Sequence, residues 1–247
     1  MSISQSICQS ELEKNNLIPR KYYGQVFTTD EKVVDKLIDT IKSIYKPGIK
    51  IVEIGGGLGY ITERLVEEFD DVDCVELDEG LFKVLQKKFD NQQSTISNQK
   101  LNLIKGDILD YQPPEKDYLF VGNIPFHISG KLYRKFMSEI NHKPYGMVFI
   151  TDKQYATTLM GQPPRCYRVS LQAQSYGDIE IVSDVPPTSV YPEPKVTSCI
   201  MKITQNDLEV PKNFWEVVNH HFENFPTPEV ESPKTVGLKG WIELCES

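Results

Sequence analysis

Over residues 50–203, short apolar runs of strand length alternate with longer stretches in which apolar positions recur at helical spacing. "KIVEI" (50–54), "VDCVEL" (72–77), "LNLI" (101–104), "YLFVG" (118–122) and "GMVFIT" (146–151) read as buried strands. "DEKVVDKLIDTIKSI" (30–44) precedes them, and "YITERLVEEF" (60–69), "EGLFKVLQKKF" (79–89) and "ISGKLYRKFMSEI" (128–140) lie between them, as amphipathic helices. Asp30 followed by Glu31 marks a helix start, and Pro47-Gly48 a stop. Strand–helix alternation of this kind predicts a parallel sheet covered by helices on both faces. Two later β-rich stretches, "YGDIEIV" (176–182) and "VTSCIMKI" (196–203), complete it to seven strands as a hairpin-like pair at one edge. Residues 91–100 form a polar loop and 186–194 a proline-punctuated connection. After Ile203 the alternation stops. "KNFWEVVNHHFENF" (212–225) reads as one helix, and "PTPEVESPKTVGLKG" (226–240) as irregular. The expected architecture is therefore an α/β, Rossmann-like domain over 1–203 with a short, partly helical C-terminal extension over 204–247.

Composition changes this picture little. Apolar content of 39% and charged content of 25% are ordinary for a globular protein. The opening "MSISQSICQSELEKNN" is polar and lacks a charged-then-apolar leader, and no apolar run approaches the roughly 18 residues of a membrane span. A cytoplasmic monomer without a membrane partner is expected. The five cysteines are scattered and odd in number, with no Cys-x-x-Cys or His-Glu-x-x-His, so buried reduced thiols are expected and no metal site.

Charge is more informative in its distribution than in its sum of −8. Between Phe126 and Ser170, seven basic side chains (Lys131, Arg134, Lys135, Lys143, Lys153, Arg165, Arg168) stand against Glu139 and Asp152. A local basic face of this kind suits a polyanion, although charge alone favours a solvated surface.

The candidate chemistry gathers at successive strand ends. "IVEIGGGLGYIT" sets Gly55, Gly57 and Gly59 between a strand and a helix, where backbone can approach a ligand at the carboxyl edge of the sheet. Glu76 closes the next strand, 21 residues after Gly55, in position to take the hydroxyls of a ribose. Asp107 follows the third strand and can accept from an adenine amine. Together they describe a nucleoside pocket. The glycine spacing is Gly-x-Gly-x-Gly, with Glu53 two residues ahead, and not the Gly-x-Gly-x-x-Gly of nicotinamide folds. Glu-x-Gly-x-Gly-x-Gly resembles the motif of S-adenosylmethionine-dependent methyltransferases, whose sulfonium cofactor has no pyrophosphate to cradle and favours an acid near its amino and sulfonium charges.

The fourth strand ends in "GNIPFHIS" (122–129). Methyl transfer to an exocyclic base amine needs its conjugated lone pair turned toward the methyl donor. The Asn123 side-chain oxygen and the Pro125 carbonyl can accept the amine hydrogens, and Phe126 offers a stacking face for an unpaired base. His127 reads as a packing or substrate-contacting residue. Carbon methylation of cytosine would need a Pro-Cys nucleophile, and the sequence contains none.

With these motifs in order, the chain resembles the ribosomal RNA adenine dimethyltransferases (the KsgA, Dim and Erm group) from about Arg20 to Ile203. "GQVF", "VEIGGGLGYIT", "VELD", the "GD" at 106–107, "GNIPFHIS" and the late "VPPTSVYPEPKVTSCIMKI" carry the resemblance. It implies a class I methyltransferase using S-adenosylmethionine, with cofactor contacts at Gln25, Val26, Thr28, Gly55, Gly57, Glu76, Asp107, Ile108 and Asn123. It agrees with catalytic roles for Asn123, Pro125 and Phe126, and the basic stretch is expected to supply RNA contacts at Lys131, Arg134, Lys135, Arg165 and Arg168. The implied partner is ribosomal RNA of the small subunit, dimethylated at adenosine N6 during ribosome biogenesis. A large-subunit target, or a binding factor without turnover, are the alternatives. The chain departs from the family pattern at Val26, Thr28 and Phe126, and its tail is short and acidic where the family carries a basic helical motif.

Overall fold

The computed structural model describes residues 4–20, 24–90, 100–125, 128–226 and 230–246. Phe126, His127 and residues 91–99 of the expected polar loop lie outside these. Helix α1 (Gln5–Lys14) precedes a two-residue strand β1 (Phe27–Thr28) and helix α2 (Glu31–Ile44). The alternating core then runs β2 (Lys50–Ile54), α3 (Tyr60–Glu68), β3 (Val72–Glu76), α4 (Glu79–Asp90), β4 (Leu101–Lys105), β5 (Tyr118–Asn123), α5 (Ser129–Arg134) and β6 (Gly146–Asp152). Helices α6 (Lys153–Leu159) and α7 (Arg168–Tyr176) lead to β7 (Gly177–Val185), β8 (Val190–Tyr191) and β9 (Ser198–Gln205). The tail holds α8 (Phe214–Asn224) and α9 (Leu238–Glu246).

Seven strands form one sheet in the order β4-β3-β2-β5-β6-β9-β7. Strands β2 to β6 are parallel, and β9 and β7 close the far edge antiparallel, as the sequence predicts. The order reverses between β2 and β5, so the crevice above their carboxyl ends is the topological switch point where such sheets bind ligands.

The period-2 alternation of the strands divides the core in two. Ile51, Leu119, Val121, Val148 and Ile150 face the layer that contains α2 and α3. Val52, Tyr118, Phe120, Met147 and Phe149 face the layer that contains Leu132, Phe136, Leu159 and Ala173. Asp30 caps α2 through its carboxylate, accepting from the Lys32 N–H at 2.9 Å, which is the helix start read from the sequence.

Three features differ from the sequence reading. Residues 4–14, read only as polar, form α1, which buries Cys8 and Leu12 against the site described below. Residues 153–176 supply two helices that no sustained apolar period announces. The stretch 226–240, expected to be irregular, contains the turn Pro233–Thr235 and the start of α9. The reason is tertiary: Trp241 is fully buried in a small second core with Cys166, Leu171, Phe214, Val218 and Val230. Four cysteines are buried thiols and Cys245 is half-buried; all five are free.

Candidate active site

The switch-point crevice is a cavity of about 310 Å³, walled by the loops after β2, β3, β4 and β5 and by residues 24–28. Every residue expected to contact the cofactor lines it: Gln25, Val26, Thr28, Gly55, Gly57, Glu76, Asp107, Ile108 and Asn123. Pro125 and Lys131 stand at its wall as well. Phe126 lies outside the described residues.

The floor is built by the glycine turn. Gly57 has φ +59, a left-handed conformation that L side chains rarely adopt, and this aims its N–H at Glu76. The Glu76 carboxylate accepts from the Gly57 N–H at 2.9 Å and from the Asp78 N–H at 2.8 Å. It is only 5% exposed, and burial raises its pKa above the ordinary carboxylate value while these backbone donors pull it down. At Gly55 and Gly106 an added Cβ would meet nothing within 4 Å, so bare backbone faces the open space. Aliphatic side chains of Ile54, Val75, Leu77 and Ile108 complete the wall. A buried carboxylate beside apolar walls and bare glycine backbone suits a nucleoside.

Glu53 does not take the place that the sequence suggests for it. On β2 it shares a face with Ile51, away from the cavity, and accepts from the Thr62 hydroxyl at 2.6 Å. Complete burial pushes its pKa up to about 7, with the nearby Glu76 charge adding to the rise. Asp107 spends Oδ1 on capping the next turn, accepting from the Leu109 N–H at 2.8 Å, so one oxygen is structural and the other is available to a ligand.

At the end of β5, Gly122 has φ +136, and a Cβ there would stand 2.7 Å from the Ile54 carbonyl oxygen. Only glycine lets β5 pass this close to β2 and deliver Asn123 over the crevice. The Asn123 amide nitrogen donates to the Val26 carbonyl at 3.1 Å and to the Thr28 hydroxyl at 3.5 Å. Both amide hydrogens are thereby consumed, and the side-chain oxygen remains as the acceptor. The segment doing this is itself held by pairing of β1 with β8, Phe27 opposite Tyr191 and Thr28 opposite Val190. The proline-rich connection thus braces the site from outside the sheet.

Pro125 presents its carbonyl differently from the sequence expectation. That oxygen accepts from the Ile128 N–H at 3.1 Å and from the Ser129 hydroxyl at 3.4 Å, closing the turn into α5. A substrate amine would have to share it.

The five expected RNA contacts separate into two groups. Lys131 and Arg134 are exposed on α5, and Arg165 and Arg168 are exposed at the start of α7. Lys135 is half-buried, donates to the Leu109 carbonyl and lies 5.3 Å from the Phe136 ring centroid, so it ties α5 to the cavity wall. The sequence reading misses Leu77, Asp78 and Leu109 in the wall. Asp78 was legible as a cap, since it accepts from the Gly80 and Leu81 N–H groups at the start of α4. Its ion pair with Arg20 at 3.2 Å was not, because the partners meet only in the fold. Among the described residues no cluster of His, Cys, Asp and Glu could hold a metal, and no helix is long and apolar enough to cross a membrane.

Comparison with known proteins follows the same lines. Residues 16–224 match the family described as ribosomal RNA adenine dimethylase. The chain is 29% identical to a ribosomal RNA small subunit methyltransferase A of Campylobacter fetus, over 92% of this chain and 82% of that one. It is 32% identical to the protein of the same name from Dehalococcoides mccartyi, over 78% of this chain and 65% of that one. An Escherichia coli rRNA adenine N-6-methyltransferase is 31% identical over 80% and 76%. Among solved structures, the 23S rRNA methyltransferase ErmE superposes with a TM-score of 0.71 at 21% identity, covering 89% of this chain and 98% of that one. At that identity the likeness shows the fold.

Proposed function

The chain belongs to the ribosomal RNA adenine dimethylase family, and on that premise we propose that it methylates the N6 amines of adenosines in small-subunit ribosomal RNA, using S-adenosylmethionine. The small-subunit assignment is supported by the names of the relatives from Campylobacter fetus and Dehalococcoides mccartyi. When bound, S-adenosylmethionine supplies an electrophilic methyl group on a sulfonium centre. The residues of the cavity fit it: Glu76, Leu77, Asp107 and Ile108 all line it, and Glu76 would take the ribose hydroxyls, Asp107 the adenine amine and the two aliphatic side chains the ring.

The observation that carries the reading is Asn123. With its nitrogen committed to Val26 and Thr28, its oxygen is the group left to accept a hydrogen from the target amine. Accepting that hydrogen turns the amine so that its lone pair leaves conjugation with the ring and points into the cavity. Such an interaction is stronger at the transition state than in the ground state, which is the condition for raising the rate. No general base is required before transfer, since the nitrogen becomes acidic only once it carries the methyl group and then loses its proton to water. Phe126 is assigned the stacking face for the base, and Lys131 at the cavity wall a phosphate contact.

The test is incubation with methyl-labelled S-adenosylmethionine and unmodified small or large ribosomal subunits, followed by nucleoside analysis. Labelled dimethyladenosine from the small subunit is expected. Label in the large subunit alone would move the target, and RNA binding without label in either would make the protein a binding factor.

A further inference from the structure

The tail is acidic in sum, yet its turn Pro233–Thr235 sets a lysine against the basic start of α7. The Cys166 N–H donates to the Lys234 carbonyl at 3.0 Å, and Cys166 is buried in the small core with Phe214, Val218 and Trp241. The Lys234 ammonium lies 5.2 Å from the centroid of the Tyr167 ring, which is 37% exposed. Arg165 and Arg168 flank that ring in sequence, and both are exposed. The carboxylate nearest Arg168, that of Glu223, reaches only to 3.9 Å, and among the described residues Arg165 and Lys234 have no ion-pair partner. Helix α7 also packs against α5 and the helical turn that follows it, where the Gln172 amide donates to the Ser138 hydroxyl. Lys131 stands at the cavity wall, and Arg134, Arg165, Arg168 and Lys234 are all exposed.

We propose that Arg165, Tyr167, Arg168 and Lys234 form a composite surface for the phosphodiester backbone of RNA, with Lys234 supplied by the tail and the Tyr167 ring as a platform for an unpaired base. This rests on the proposed ribosomal RNA substrate and adds the tail to the machinery that holds it. Basic side chains around an exposed aromatic ring meet the two demands of single-stranded RNA, phosphate neutralisation and sequence-tolerant stacking. The ammonium over the ring restrains both partners before RNA arrives.

The experiment is a fluorescence-anisotropy titration with a labelled RNA hairpin bearing a single-stranded loop, repeated across salt concentrations, on wild type, Lys234→Glu and Tyr167→Ala. The tail docks through the Lys234 backbone carbonyl, which Lys234→Glu retains. The thermal midpoint and calorimetric S-adenosylmethionine affinity are therefore expected to stay at wild-type values, and Lys234→Gln serves as a milder second variant. Lys234→Glu should bind RNA about fivefold or more weakly at low salt, with a log–log salt slope shallower by about one. Tyr167→Ala should weaken binding to a similar degree with the slope unchanged, since stacking releases no counterions. Wild-type affinity and slope in both lysine variants would overturn the proposal. So would Lys234-dependent binding of a polyglutamate peptide in place of the hairpin, which would assign the surface to an acidic protein. Loss of hairpin binding in the variants, alongside a wild type that methylates neither subunit, would uphold this surface while removing the enzymatic reading.

Discussion

At the scale of single residues, three side chains with different jobs make separable predictions. Asn123→Ala removes the acceptor for the target amine, so the single-turnover methylation rate should fall by an order of magnitude or more while RNA affinity is nearly kept. Equal rates for wild type and variant on unmodified subunits would exclude this role. Glu76→Ala removes the acceptor of the Gly57 and Asp78 N–H groups as well as the expected ribose ligand. S-adenosylmethionine binding should weaken by about 1.5–3 kcal/mol, the scale of a charge-assisted hydrogen bond, as read by calorimetry. Glu53 is a stability residue. Its folded pKa of about 7 lies above the ordinary carboxylate value, so the folded protein binds a proton there that the unfolded chain has lost. Its contribution is therefore fully present below pH 4.5 and is lost as pH rises through 7. Glu53→Gln should flatten that part of the stability profile in chemical denaturation. A profile of unchanged slope would mean that Glu53 is charged in the folded state.

At the scale of elements, α5 and the turn following it show how one basic stretch divides its labour. Lys131 and Arg134 are exposed, whereas Lys135 is spent on the Leu109 carbonyl. Reversing Arg134 to Glu should weaken RNA binding and flatten its salt dependence without changing cofactor affinity. Lys135→Met should do the opposite, loosening the Asp107–Leu109 wall and weakening S-adenosylmethionine binding with the RNA salt slope intact. Matching salt slopes for the two variants would erase the distinction. The run of charges was legible in the sequence, but its division was not, because spacing along a helix does not say which carbonyl of another loop comes within reach. The strand ends were easier to read. A buried strand stops where its apolar run stops, and parallel strands bring successive carboxyl ends to one edge. Glu76, Asp107 and Asn123 could therefore be gathered into one site without knowing any distance.

At the scale of the whole molecule, the tail is joined to α7 and the segment before it by the small core around Trp241, which is fully buried with Cys166, Leu171 and residues of α8. Trp241→Ala should destabilise by about 3–5 kcal/mol, the range for truncating a large buried aromatic. The loss should appear in denaturant unfolding followed by Trp215 fluorescence. A wild-type midpoint would show that the tail packs without this residue. The sequence by itself determined the α/β sheet, its two-faced core, the glycine floor, the acids at the strand ends and the Asn-Ile-Pro turn. These follow from periodicity and from local backbone demands, both of which are written in neighbouring residues. Only the tertiary structure decided that Glu53 turns away from the cavity, that the Pro125 carbonyl closes its own turn, and that Val26 and Thr28 hold the Asn123 amide. It likewise decided that an acidic tail folds a helix onto α7 and sets Lys234 beside Tyr167. The Asn123 and Lys234 contacts join residues far apart in the chain, and such contacts are selected by packing and hydrogen-bond satisfaction across the whole fold, which no local pattern records.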